Sequence, residues 1–126
     1  MSDHPEQAVV RQFNESINGR DLGGLGALMT DDHAFVDSAD NTVYGKENVL
    51  QAWRGFFESF PDYRNTFQEM SPNGDVVVVV GYSTCADERL RGPAIWTAKV
   101  IDGKVAEWRV SAYTPENRRR LGIGIA

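Results

Sequence analysis

The sequence predicts a single α+β domain over residues 1–126, with helices first and a mainly antiparallel sheet after them. Three observations predict it. Apolar residues recur at helical spacing in the first half, as Val9, Val10, Phe13 and Ile17 and again as Val49, Trp53, Phe56 and Phe57. They change to strict alternation in the second half, as Ala94, Trp96, Ala98 and Val100. Asp102-Gly103 then separates two such alternating runs, the dipeptide that a tight hairpin favours.

The elements follow in order. Ser2 or Asp3 can cap the first helix, Pro5 suits its first turn, and Gly19 ends it. Asp21 starts a shorter helix carrying Leu22, Leu25, Leu28 and Met29, diluted by Gly23, Gly24 and Gly26. A short strand passes through Phe35 and Val36, and a polar connection leads to Gly45. A third helix spans about residues 46–60, with Val49, Trp53, Phe56, Phe57 and Phe60 on one face. "FPD" stops it, because the residue before a proline disfavours helix. Residues 63–70 read as a strand and "SPNGD" as a turn. "VVVVVGYSTC" is a strand too apolar to face water, with Gly81 as a bulge position. "ADERLRG" is a polar connection, and residues 93–101 and 104–113 are the hairpin strands. Thr114 and Pro115 open a brief terminal helix that Gly122 ends.

The last two strands have distinct faces. Ala94, Trp96, Ala98 and Val100 share one with Trp108, Val110 and Ala112; Thr97, Lys99, Glu107, Arg109 and Ser111 take the other. The sheet thus has an apolar side to cover, and the three N-terminal helices are what can cover it.

Composition narrows the function. Hydrophobic residues are 41% and charged residues 25%, enough apolar material to bury a core. A net charge of -5 argues against a nucleic-acid or anionic-membrane partner. The basic run Arg118-Arg119-Arg120 follows Glu116 and reads as a solvated helix face. The single cysteine, Cys85, has no internal disulfide partner and reads as a buried small hydrophobe. His4 and His33 are too far apart for a metal-ligand spacing, so no metal or other cofactor is expected. With no membrane-length apolar run and an acidic, polar N-terminus, the expected compartment is the cytoplasm.

Several strings resemble the NTF2-like superfamily, in which helices and a strongly curved sheet form a cone around a pocket. "VVRQFNESINGRDLGGLGALMTDDHAFVDSAD" resembles the N-terminal half of ketosteroid isomerases and SnoaL-like polyketide cyclases. "YGKENVLQAWRGFFESFPDYRNTF" is similar to the SnoaL-like segment in which a glycine opens the third helix and "FPD" ends it. "IDGKVAEWRV" resembles the family's last hairpin. The resemblance implies a cone-shaped pocket bounded by Phe13, Ile17, Trp53, Phe56, Phe57, Phe60, Tyr82, Trp96 and Trp108. From the residues alone, these are equally the large apolar groups of a filled core.

The resemblance also places Asp37 where the similar isomerases carry the aspartate that abstracts a proton beside a ketone. That chemistry needs a carboxylate whose pKa an apolar wall has raised. Their oxyanion-hole tyrosine corresponds here to Phe13, and their protonated aspartate falls near Trp96, so steroid isomerisation is not implied. The similar cyclases place their acid late in the chain, where Trp108, Val110 and Ala112 supply none and Glu107 points outward toward Arg109. Asp37 is the candidate base that remains. His33 is placed to orient it or share its proton, or lies solvated beside Asp31 and Asp32. Tyr44, Tyr63 and Tyr82 each offer a hydroxyl, and Asp40 and Asp62 read as turn and cap residues. The expected function is cofactor-free acid–base chemistry, of isomerase or cyclase type, on a small hydrophobic carbonyl compound. The alternatives are a non-catalytic module binding a small apolar ligand and a cone filled by its own side chains. The resemblance further implies a homodimer through the sheet, using Thr97, Lys99, Arg109 and Tyr113.

Overall fold

Helical spacing in the first half of the chain becomes α1 (Pro5–Asn18), α2 (Leu22–Ala27) and α3 (Lys46–Ser59) in the computed structural model, which describes residues 5–123. The capping residues expected before α1, Ser2 and Asp3, lie outside the described residues, as does His4. Asp21 caps α2 by accepting from the Gly24 amide at 2.9 Å. Six strands follow the apolar runs: β1 (Met29–Val36), β2 (Thr42–Tyr44), β3 (Arg64–Asn73), β4 (Val76–Thr84), β5 (Gly92–Ile101) and β6 (Lys104–Ala112). Thr114 caps α4 (Pro115–Arg120) through the Asn117 amide, and a 3-10 turn occupies Glu88–Leu90.

The strands form one sheet in the order β2-β1-β6-β5-β4-β3. Only the β1–β6 pair is parallel; it joins the N-terminal β1–β2 hairpin to the sheet formed by the second half of the chain. The other four pairs are antiparallel. Register breaks in β1/β6, β3/β4 and β5/β6 insert unpaired residues, and such bulges bend the strands that carry them. The result is the curved, unclosed sheet and helical cover of the expected NTF2-like cone.

Its concave face holds the core. Val10, Phe13 and Ile17 from α1 meet Val77, Val79, Trp96, Ala98, Val105 and Trp108 from the sheet, with Leu25, Met29 and Val49 closing the sides. Full burial of each large side chain contributes about 1.5–3 kcal/mol, which holds helices to a sheet they do not pair with. The convex face is covered in part by the chain's own end. The Asn73 side chain donates to the Leu121 carbonyl at 2.8 Å, and Gly122 and Ile123 border a groove with Val78 and Val80.

Four details differ from the sequence reading, each for a local reason. Met29 opens β1, paired with Val105, although its spacing continues the Leu22–Leu25–Leu28 pattern of the helix before it. β2 lies inside the expected polar connection; it is three residues long and gives no periodicity to read. β3 runs on through "SPN", so only Gly74 and Asp75 turn. The bulge belongs to β3, where Gln68 falls between the Phe67–Gly81 and Glu69–Val80 pairs. Gly81 is the flat partner beneath it. A Cβ there would lie 2.0 Å from the Thr66 carbonyl oxygen, a backbone atom that cannot rotate away.

Gly81→Ala is therefore expected to destabilise the fold by about 3 kcal/mol, the upper range for overpacking. A shifted urea midpoint with an unchanged slope would register it.

Candidate functional site

The wide end of the cone encloses a cavity of about 370 Å3, at the lower end of the size range of small-molecule sites. Five parts of the fold line it. α3 presents Val49, Ala52, Trp53 and Phe56 at helical spacing. Trp96 on β5, with Trp108 and Val110 on β6, forms the opposite wall, because alternation keeps these residues on the concave face. The β1–β2 hairpin supplies Phe35, Asp37, Ser38 and Val43, and the 3-10 turn supplies Leu90. Tyr63, just before β3, and Asn65, at its start, complete the lining. Asn65, Trp96 and Trp108 are at most 2% exposed and mark the floor; Ser38 and Ala52 are exposed and mark the mouth.

Of the residues expected around the pocket, Asp37, Trp53, Phe56, Trp96 and Trp108 border this cavity. The others do not. Phe13 and Ile17 are fully buried in the core below it, and Phe13 packs on Trp108 with ring centroids 4.6 Å apart. Phe57 supports Trp53 from behind at 5.5 Å, and Phe60 packs on Phe56 at 5.0 Å at the end of α3. Tyr82 lies on the convex face, and Tyr44 is 70% exposed, so Tyr63 is the tyrosine at the cavity.

His33 is neither solvated nor beside Asp37. It is fully buried, 5.8 Å from the Phe13 ring, with Nδ1 2.6 Å from the Val105 carbonyl oxygen. A carbonyl only accepts, so Nδ1 carries the proton and donates, and Nε2 is left buried without a partner. Burial pushes the His33 pKa down; the Val105 hydrogen bond and the charges of Glu107 and Asp32 restore only part of it.

Asp37 stands at the mouth with its carboxylate already engaged. One oxygen accepts from the amides of Ala39 and Asn41, both at 2.9 Å, and the other from the Asn41 side chain at 3.1 Å. Its own amide donates to the Asn41 carbonyl. Desolvation raises its pKa, but these hydrogen bonds from Asn41 and Ala39 outweigh it and hold the carboxyl below the ordinary aspartate value. That is the opposite direction from the one a tuned base needs. Asp62 is tied up differently from the cap expected of it. It accepts from the Ala86 amide at 2.8 Å and the Cys85 thiol at 3.3 Å, fixing the β4–β5 connection to the end of α3. Asp40 sits in the hairpin turn at φ 66° and pairs with Arg109 at 3.2 Å, and Glu107 pairs with Arg109 as expected.

The polar part of the cavity comes from residues whose sequence signal was weak. Asn65 is clamped by α1: Asn18 both accepts from its amide and donates to its carbonyl at 2.9 Å, and Asn14 donates to the same carbonyl at 3.3 Å. Asn14 and Asn18 are four residues apart, so one helix face delivers both. The Asn65 side chain accepts from Ser83 at 2.7 Å, and Ser83 lies 3.1 Å from the Tyr63 hydroxyl. Burial raises the Tyr63 pKa, which its side-chain hydrogen bonds with Ser83 and Asn65 lower only in part, so the hydroxyl stays neutral. The usable signal was Asn65 lying two residues after Tyr63 and two before Phe67, on the inward face of a strand. Among the described residues no group of His, Cys, Asp and Glu could hold a metal ion, and no helix is long and apolar enough to cross a membrane.

The family model described as the SnoaL-like domain matches residues 10–108. The chain belongs to that family. No curated protein sequence matches it. Among solved structures, this SnoaL-like domain is similar to a candidate polyketide cyclase from Sinorhizobium meliloti, at 14% identity and a TM-score of 0.76, over 86% of this chain and 100% of that one. It is similar to TerC, crystallised with polyporic acid, at 17% identity and a TM-score of 0.74, over 94% and 98% of the two chains. A candidate ketosteroid isomerase from Kribbella flavida gives 23% identity and a TM-score of 0.70, over 97% and 90%. At these identities the likeness carries the fold and not the reaction.

His33 makes a testable contribution to stability. Its native pKa lies below the unfolded value of about 6.5, so the unfolded chain binds the proton more readily. This contribution is complete above about pH 6.5 and is lost as the pH falls through that value, by at most about 1.4 kcal/mol per pH unit. Asp37, Asp62 and Asp87, the last held down to about 2 first by its hydrogen bond from Arg89, act only at lower pH. The urea midpoint is expected to drop between about pH 7 and pH 5, and to drop less in His33→Asn.

Proposed function

We propose that this SnoaL-like domain is a binding module that holds one small, largely apolar molecule in the cavity between α3 and the concave sheet. The observation that carries this reading is the state of Asp37. The only carboxylate bordering the cavity among the described residues spends its oxygens on three hydrogen bonds within its own hairpin turn. Its remaining role is to shape the mouth. Aromatic and aliphatic side chains make up most of the lining, which suits a flat or compact hydrophobic ligand. A structural relative, TerC, was co-crystallised with polyporic acid, which supports a small-molecule ligand for this fold.

A second reading keeps Asp37 as a general base, in favour of which stands its position on the cavity lining. A depressed carboxylate suits only a substrate whose carbon acid is already strongly acidic, as between two carbonyls.

Asp37→Asn separates the two. A binding module keeps ligand affinity within about twofold, and its hairpin loosens by about 1 kcal/mol. A catalyst keeps affinity and loses turnover. Titration of the Asp37 carboxyl by NMR is expected to give a midpoint below the ordinary aspartate value; a raised midpoint would favour the base.

A homodimer through the convex face is part of the same proposal. Tyr113 and Lys99 are the exposed residues available to it, whereas Thr97 is only 5% exposed and Arg109 is engaged with Asp40 and Glu107. Light scattering at twice the chain mass of 14.0 kDa supports it, and the monomer mass overturns it.

A further inference from the structure

Counting protons at the buried end of the cavity gives more than its shape does. Ser83 has one hydroxyl proton, and its 2.7 Å hydrogen bond to Asn65 Oδ1 uses it. At the 3.1 Å contact between Ser83 Oγ and Tyr63 Oη, the proton must therefore come from Tyr63. Tyr63 consequently turns its hydrogen away from the cavity, toward Ser83, and presents lone pairs to whatever lies beside it. Asn65 has the complementary arrangement. Its Oδ1 is taken by Ser83, and of the two N–H groups on Nδ2 one is directed to Tyr63 and the other is left for the cavity that Asn65 lines. The raised Tyr63 pKa agrees with a neutral hydroxyl that keeps its proton. Asn14 and Asn18 fix the backbone that carries the amide and so hold its side chain beside Ser83 and Tyr63.

We infer that the floor of the cavity is a matched acceptor–donor pair, Tyr63 Oη and Asn65 Nδ2, that selects a ligand hydroxyl on an aromatic or alicyclic skeleton over an ether or a ketone. A hydroxyl donates to Tyr63 and accepts from Asn65 at once. An ether or carbonyl oxygen satisfies Asn65 alone and sets its lone pairs against those of Tyr63. Relief requires Tyr63 to turn its proton to the ligand and give up its hydrogen bond to Ser83, an interaction the hydroxyl ligand leaves in place. Ser83, one step removed from the ligand, is a positioning residue that sets which way the Tyr63 proton points.

This inference rests on the binding reading above, and one calorimetric series distinguishes the failure of either. The probes are 2-naphthol, 2-methoxynaphthalene and 2-acetylnaphthalene, which share a skeleton and differ in the oxygen group. The native chain is expected to bind 2-naphthol about tenfold more tightly than the other two. Ser83→Ala removes the acceptor that captures the Tyr63 proton, so the tyrosine can donate into the cavity. The preference is then expected to fall to within about twofold, with the ether and ketone gaining affinity rather than the naphthol only losing it. Tyr63→Phe is expected to abolish the preference without that gain, and serves equally if Ser83→Ala does not fold. Equal binding of all three probes by the native chain, or an undiminished preference in both variants, overturns the inference while leaving the binding reading intact. Failure of every probe to bind overturns both.

Discussion

Trp96 on β5 and Trp108 on β6 belong to two structures at once. From below they are core: Trp108 packs on Phe13, and Phe67 lies against both indoles at 5.4 and 6.3 Å. From above they are the floor of the cavity. The bent sheet widens beyond them while α1 and α2 cover only the narrow part, so filling stops where the indoles stop. Core stability and cavity shape are in this way determined by the same two rings. The wall made by α3 is organised around a third, since Phe35, Phe56 and Phe57 all pack on Trp53 at 5.5–5.7 Å.

Polar groups divide by depth. At the floor, the Tyr63, Asn65 and Ser83 side chains hydrogen-bond one another, and α1 holds the backbone of Asn65. At the mouth, the Asp37 carboxylate is spent on its own turn, and nearby Asp62 is spent on the β4–β5 connection. A buried polar cluster is stable only when its members are nearly satisfied, and satisfaction fixes which donors and acceptors are left to offer. The same rule that makes the cluster tolerable in the core gives it a chemical preference.

How much of this was legible in the sequence follows from the range of each signal. The helices and long strands were readable because Val10, Phe13 and Ile17, or Ala94, Trp96 and Ala98, repeat with the period of the element that buries them. β2 was not, since three residues carry no period. An inward aromatic also does not say what it faces: Phe13 and Phe57 meet other side chains, Phe56 and Trp108 meet the cavity, and their patterns are the same. Asp37 was located at the cavity, but the hydrogen bonds on its carboxylate were not legible, because its partner Asn41 reads as a loop residue until the turn closes. His33 was misjudged for a related reason. Two neighbouring aspartates suggest solvent, and the break in β1–β6 register that turns its ring inward has no sequence marker. Asn65 was missed because asparagine in a strand looks like a fault in the pattern, although here it is the reason for the polar floor.

The two mouth turns bear on kinetics as well as shape. One is pinned internally by Asp37, and the other, which carries Leu90, is anchored through Asp62 to the turn that follows α3. Under the proposed function, a guest seated on the indoles enters and leaves past these turns, whose hydrogen bonds are separate from those of the floor. Residence time and affinity are then governed by different residues, and a change of loop sequence alters how fast the cavity exchanges its contents without altering what it prefers.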